Sequence, residues 1–268
     1  MTASRHRAVL LAAILIAVSP VPAQQEPSPP AAGDPAAGRE VLDYSVEWRL
    51  IPAGTARLSW TPLPGSSTVA SEARLHLEST GLVSRLFRVN DDYTSMLAQN
   101  FCAQSTFMTA HEGSRNRETR VSYDQQARKA RYSERDLVKS STSTNEVDIL
   151  PCTHDVLGAL MVLRSLRLEP GKTTQIPISD GKKIALVKVE SQRREEVNTG
   201  LGVRRTIRYE AFVFDNVIYK RPAHVHVWLT DDNQRLPVQL QVHLQFAIGT
   251  ITFRLEKQGS NPTAGRGN

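Results

Sequence analysis

The sequence predicts a mostly β protein, a curved antiparallel sheet closing into a barrel or half-barrel around one buried central helix over residues 153–168. Three observations predict it. Apolar and polar residues alternate along segment after segment, as in strands with one buried and one wet face. Short stretches rich in Gly, Pro, Asn and Asp separate these segments, which makes most connections hairpins. Against that background, Cys152 to Leu168 is apolar around most of a helical circumference, and such a helix has to be buried on most sides. A long sheet tends to curl or close to remove its exposed edges. A two-sheet β-sandwich is the competing arrangement.

At the N-terminus, Arg5, His6 and Arg7 precede a continuous apolar run from Ala8 to Val18, and Val21-Pro22-Ala23 offers a small-residue processing site. Residues 1–23 therefore read as a secretory signal peptide, too short for a membrane anchor. No cysteine lies near the cleavage point, which closes the lipoprotein route, so the expected location is the periplasm or the exterior. Residues 24–40 are rich in Pro, Ala, Gly and Ser and bury too little apolar surface to offset their ordering, so they read as a disordered linker. Residues 258–268 read as a disordered tail, which leaves 41–257 as a single β domain.

Alternation begins at Tyr44, Val46, Trp48 and Leu50, resumes at Ala56, Leu58 and Trp60, and again at Val69, Ser71, Ala73, Leu75 and Leu77. It is clearest from Leu236 to Phe246, and Ile251, Phe253 and Leu255 repeat it after Gly249, so these two runs form a hairpin. Turns are expected at Pro52-Ala53-Gly54, Pro62 to Gly65, Asp180-Gly181, Asn198 to Gly202 and Asp231-Asp232-Asn233. The helix has Thr153 or Asp155 as its cap, Arg164 and Arg167 toward its negative end, and Pro170-Gly171 as its stop. Gly158 costs helix propensity and implies a neighbouring backbone close by.

Cys102 and Cys152 are the whole cysteine complement. In an exported chain an even pair reads as a disulfide, since a metal site wants more ligands and a redox pair wants Cys-x-x-Cys spacing. The bridge would fix the start of the helix to the end of a strand near Phe101.

Tyr44-Ser-Val-Glu-Trp48 with Ile51-Pro-Ala-Gly-Thr-Ala56, the helix with Asp155 and Leu163-Arg164-Ser165-Leu166, then Pro170-Gly171, form an ordered series. It continues with Val227-Trp228-Leu229-Thr230-Asp231-Asp232 and Arg235-Leu236-Pro237-Val238. In this order, across about Val41 to Lys257, the segments resemble the bacterial exported family catalogued as domain of unknown function 3108. The resemblance implies an exported, mostly antiparallel β protein of unestablished activity, and supplies no catalytic residues.

The sequence holds no Gly-x-Ser-x-Gly elbow, no His-Glu-x-x-His, no phosphate-cradling glycine loop and no EF-hand loop. His224 and His226 share one face of a strand with Trp228, and such a pair can hold a metal, with His243 approaching across the next hairpin. Val225, Val227 and Leu229 fill the core face, so the histidines are expected on the solvated side, and no cofactor or metal is assigned. Asp91-Asp92 and Asp231-Asp232 read as turn or strand-end residues, not acid–base pairs. Net charge is +6, and removing Arg5 and Arg7 with the leader leaves +4. Nucleic acid is not an expected partner outside the cytoplasm. The clusters Arg128-Lys129, Lys182-Lys183, Arg193-Arg194 and Arg204-Arg205 read as solubilising charge, although they could steer the protein toward anionic envelope components.

Two non-enzymatic readings follow. One is a periplasmic binding or carrier module for a lipid or other hydrophobic ligand; the other is a structural or assembly factor of the cell envelope, meeting envelope proteins, with a solid core and no ligand. An apolar cavity of several hundred Å³ between helix and sheet distinguishes the first from the second.

Overall fold

The computed structural model describes residues 38–65, 68–212, 223–244 and 249–260, all within one unit, 32–268. The expected signal peptide, most of the expected linker and most of the expected tail lie outside the described residues. No described helix is long and apolar enough to cross a membrane.

Fourteen strands form one antiparallel sheet. They are β1 (Glu40–Trp48), β2 (Ile51–Pro62), β3 (Ser71–Ser79), β4 (Val89–Leu97), β5 (Ala103–Glu112), β6 (Arg115–Asp124) and β7 (Lys129–Asp136). Then come β8 (Ser141–Asp148), β9 (Thr173–Ser179), β10 (Ile184–Thr199), β11 (Gly202–Ala211), β12 (Ala223–Thr230), β13 (Pro237–Leu244) and β14 (Gly249–Ser260). Among the described residues two helices interrupt them, α1 (Gly81–Leu86) and α2 (Val156–Ser165). The spatial order runs from β8 down to β1, then from β14 down to β9, so both meanders meet where β1 pairs with β14.

The mostly β architecture and the hairpin across Gly249 stand as read from the alternation. Closure does not: β8 and β9 are free ends of the ladder order and do not pair with each other. The ends approach through side chains instead. Tyr123 Oη donates to the Ser179 carbonyl at 2.9 Å, Asn145 Nδ2 donates to the Lys182 carbonyl at 3.1 Å, and the Lys182 ammonium sits 4.3 Å from the Tyr132 ring centroid. The described strands make one sheet, not the two of a sandwich.

α2 is shorter than the expected 153–168. Asp155 adopts extended backbone and caps it, and Leu166 is already extended, so the helix stops before Pro170-Gly171 is reached. Its apolar side chains serve both meanders. Leu157 and Met161 pack with Trp60, Leu97, Val121, Tyr123 and Tyr132, whereas Ala159 and Leu163 pack with Ile176, Val187, Ile207, Tyr209 and Leu229. A methyl group added at Gly158 would lie 2.5 Å from the Phe101 carbonyl oxygen, which is the close backbone approach its presence implied.

Other boundaries move for local reasons. The first turn is Arg49-Leu50, both at positive φ (48° and 68°), and Pro52-Ala53-Gly54 lies inside β2. Nothing in an Arg-Leu dipeptide signals that conformation. α1 is a single turn and a half with no buried residue, too short to show periodicity. Glu40 belongs to β1, not to a linker, and β14 continues to Ser260, into the expected tail. Asp91-Asp92 lies inside β4, not at a turn. Arg193 and Arg194, of the basic clusters, lie inside β10.

A buried ionic knot fixes the C-terminal end of α2. Arg164, 2% exposed, places Nη1 2.6 Å and Nη2 3.2 Å from the two oxygens of Glu40, and its Nε donates to the Arg235 carbonyl at 3.0 Å. Arg235 is also buried; its guanidinium donates to the carbonyls of Arg164 and Leu166 at 3.3 and 2.8 Å and to Tyr209 Oη at 2.7 Å. Removing one partner of a buried pair strands the other charge, at a cost of about 3–5 kcal/mol. Glu40→Ala is therefore expected to destabilise the fold by about 3 kcal/mol in urea denaturation, with Glu40→Leu/Arg164→Met recovering much of it. An unchanged midpoint in the single variant would show the knot to be dispensable.

Candidate functional site

Three places gather polar chemistry, and each is defined by strand register. The first is a groove of about 1020 Å³ over β4 to β8. Two rows of cross-strand partners make its floor: Thr94, Phe107, Arg120, Ser133 and Thr144 in one, and Met96, Ser105, Ser122, Arg131 and Glu146 in the other. Neighbouring Val121 and Tyr132 point to the opposite face and join the core with α2. The groove therefore lies on the side of the sheet away from the helix. Its charges are matched: Arg120 lies 4.6 Å from the Phe107 ring centroid and 3.2 Å from Glu118, and Arg131 holds Glu146 at 2.9 Å. Its lining includes neither His nor Cys, and its one carboxylate is engaged. The floor can hydrogen-bond a polar ligand, but it presents no acid–base pair.

The second place is the histidine group. Register sets His226 opposite Glu210 on β11 and His224 opposite His243 on β13. His224 Nδ1 lies 2.9 Å from Glu210 Oε1, His226 Nε2 lies 3.6 Å from the same oxygen, and the His226 and His243 rings are 5.0 Å apart. Arg208 Nη2 donates to His226 Nε2 at 2.9 Å, so a guanidinium occupies that ring nitrogen. Buried His226 Nδ1 has no hydrogen-bond partner among the described residues.

The expectation of a solvated histidine face holds for His224 only. His226 is buried and so is Trp228, because β10 brings cover to this side: Trp228 Nε1 donates to Glu195 Oε1 at 2.6 Å, and Val197 joins the cluster that contains Trp228. Alternation showed the two faces correctly. It carried no sign that a long hairpin would cover the polar one.

The third place is the start of α2. Cys102 and Cys152 are joined, with Cα atoms 4.8 Å apart. His154 lies close enough to both sulfurs to complete a three-ligand cluster, but sulfurs in a disulfide are not thiolate ligands. His154 Nδ1 instead donates to the Phe101 carbonyl at 2.8 Å, and burial holds its pKa below the ordinary histidine value. Asp155 is fully buried, accepts from Gly158 N at 2.9 Å and from Tyr93 Oη at 2.8 Å, and has its pKa raised, chiefly by burial. A carboxyl sealed from solvent in this way is a helix cap and not a substrate-facing acid.

Beneath α2, the space lined by Glu40, Leu58, Trp60, Ala73, Leu157, Leu160, Met161 and Arg164 amounts to about 10 Å³. That is room for one water molecule.

Comparison with known proteins gives a family and a fold. The model of the family described as "Protein of unknown function (DUF3108)" matches residues 43–256. Among solved structures, the chain is similar to a beta-barrel-like protein of domain of unknown function DUF1849 from Brucella abortus, at 9% identity and a TM-score of 0.56. The match covers 84% of this chain and 99% of that one, and at such identity it speaks to fold alone. No curated protein matches.

Two outcomes test this geometry. The disulfide closes a loop of 50 residues, for which loop-closure entropy gives roughly 4 kcal/mol, so Cys102→Ser, or reductant on the parent, should lower Tm. Identical melting curves with and without reductant would refute the contribution. Burial and the Arg208 charge depress the pKa of His226, and burial depresses that of His243, so the unfolded chain binds more protons than the folded one below the ordinary histidine value. Stability should therefore fall as pH drops from about 7.5 to about 5.5, and His226→Gln should flatten that dependence in thermal scans. A slope unaltered by the substitution would place the effect elsewhere.

Proposed function

Since the chain belongs to the family described as "Protein of unknown function (DUF3108)", whose description assigns no activity, we propose from its geometry that it is an exported, non-catalytic structural or assembly module of the cell envelope. One observation carries this reading: the space beneath α2 has room for a single water, about 10 Å³, where a carrier enclosing a lipid needs roughly 300 Å³ or more. The sheet is then a half-barrel whose helix fills it, and work falls to the outer surface.

Export is supported by the basic and apolar leader of the sequence and by a disulfide, which persists in oxidising compartments. The non-catalytic reading is supported by the matched charges of the outer groove and by the guanidinium at His226. The carrier alternative loses its support with the small space beneath the helix, and the outer groove lies on the face of the sheet away from α2 and does not enclose a ligand.

Native mass spectrometry of protein purified from the periplasm tests the reading. The expected spectrum shows the bare polypeptide mass of the disulfide-bonded chain. A lipid mass retained through gentle desolvation, and lost on unfolding, would restore the carrier.

A further inference from the structure

The antiparallel order places alternate turns at one end of the sheet, so the β1–β2, β3–β4, β5–β6 and β7–β8 turns share an end. They are contiguous. Thr80 N donates to the Ala53 carbonyl at 2.9 Å, Gly113 N to the Arg88 carbonyl at 2.7 Å, and Leu137 N to the Asn116 carbonyl at 2.8 Å.

Of the eleven exposed large apolar side chains among the described residues, this rim carries seven, while Leu150, Val156, Leu186 and Val203 lie outside these turns. The first turn shows Leu50, 85% exposed, and Ile51; the second shows Leu82, Leu86 and Phe87, the middle one 73% exposed; the fourth shows Leu137 and Val138. Exposed Arg49, Arg85, Arg88, Arg115 and Lys139 stand among them, and residues 49–51, 80–88, 113–115 and 137–140 contain no acid. Of the acids at the adjoining strand ends, Glu112 is held by Arg117 at 2.7 Å and Asp136 by Lys139 at 3.8 Å, and Glu78 is exposed near the end of β3. α1, which presents three of these apolar groups on or just beyond it, buries none of its residues.

Contiguous apolar exposure on a folded protein marks an interaction site. Apolar tips of turns interspersed with cations and free of acids are complementary to a surface that is anionic at its face and apolar just beneath, which is a phospholipid monolayer with anionic headgroups. We propose that this rim docks the protein on anionic lipid, the apolar tips entering the headgroup boundary and the arginines meeting phosphates. The proposal extends the envelope reading by naming the surface the module meets. It concerns the rim alone, so it stands or falls independently of what fills the interior.

Co-sedimentation of the folded, disulfide-bonded protein with vesicles tests it, using phosphatidylcholine alone and phosphatidylcholine with about a third phosphatidylglycerol. Binding is expected only to the anionic vesicles, weakened by about 0.5 M salt. Arg85→Glu/Arg88→Glu should weaken partitioning roughly 30-fold, and Leu82→Ser/Leu86→Ser should also weaken it, both with an unchanged Tm because these positions are exposed. Arg204→Glu/Arg205→Glu, away from the rim, should leave it unchanged. No binding to anionic vesicles would overturn the proposal, and so would equal loss in the distant arginine pair, which would reduce the effect to net charge.

Discussion

Everything in this fold leans on the knot between Arg164, Glu40 and Arg235. Two guanidiniums are removed from water with a single carboxylate, Glu40 on Arg164, an arrangement that would be costly if either lacked a partner. The second positive charge is met by the helix itself: Arg235 faces the free carbonyls at the C-terminal end of α2, where the dipole is negative. The two arginines exchange backbone contacts, Arg164 Nε to the Arg235 carbonyl and Arg235 Nε to the Arg164 carbonyl. The first strand, the helix and the β12–β13 turn are thereby tied at one point. The turn is prepared for it: Asp232 Oδ1 accepts from Gln234 N and Arg235 N, and Arg235 takes a positive φ of 49°.

The opposite end of α2 is fixed by different chemistry. Asp155 accepts two backbone N–H groups and the Tyr93 hydroxyl, Gly158 lets the Phe101 carbonyl approach, and the disulfide ties Cys152 to the residue after Phe101. Each removes a freedom the others leave. A cap sets direction, a glycine sets distance and a covalent bond sets position. Between these ends the helix needs only apolar side chains on several sides, and Leu157, Ala159, Met161 and Leu163 supply them.

Legibility followed period and spacing. Strand alternation, the Gly249 hairpin, the Asp155 cap, the Gly158 contact and the cysteine pair all depend on residues close in sequence or on rules of composition, and they were readable. The role of Arg164 was read as a cation near a helix end; its partner Glu40 is 124 residues away, and no local rule connects them. The family resemblance rests on segments that include Tyr44, Arg164, Arg235 and Pro237. In space they converge on the knot, where Tyr44 Oη also donates to the Pro237 carbonyl at 2.8 Å. The buried His226 was misplaced for a related reason. Alternation tells which face a residue takes, while the cover over that face comes from Glu195 and Val197 on another hairpin.

The failure of the ladder to close has a physical cause in the chain between β8 and α2. Sealing the seam would require β8 to pair with β9, yet the segment leaving β8 already uses part of that edge: His154 pairs in parallel with Ile178, giving its N–H to the Pro177 carbonyl and accepting from Ser179 N. One residue later Asp155 turns the chain into the helix. The element that fills the sheet therefore starts from the place where the sheet would have closed, and filling competes with closure for the same backbone. β8 is left as an edge with Ser, Thr, Asn, Glu and Asp exposed along it, the polar and charged guard that keeps an open strand from pairing indiscriminately. Along that edge the packing of α2 has taken the place of strand pairing, and among the described residues the space beneath the helix amounts to about 10 Å³.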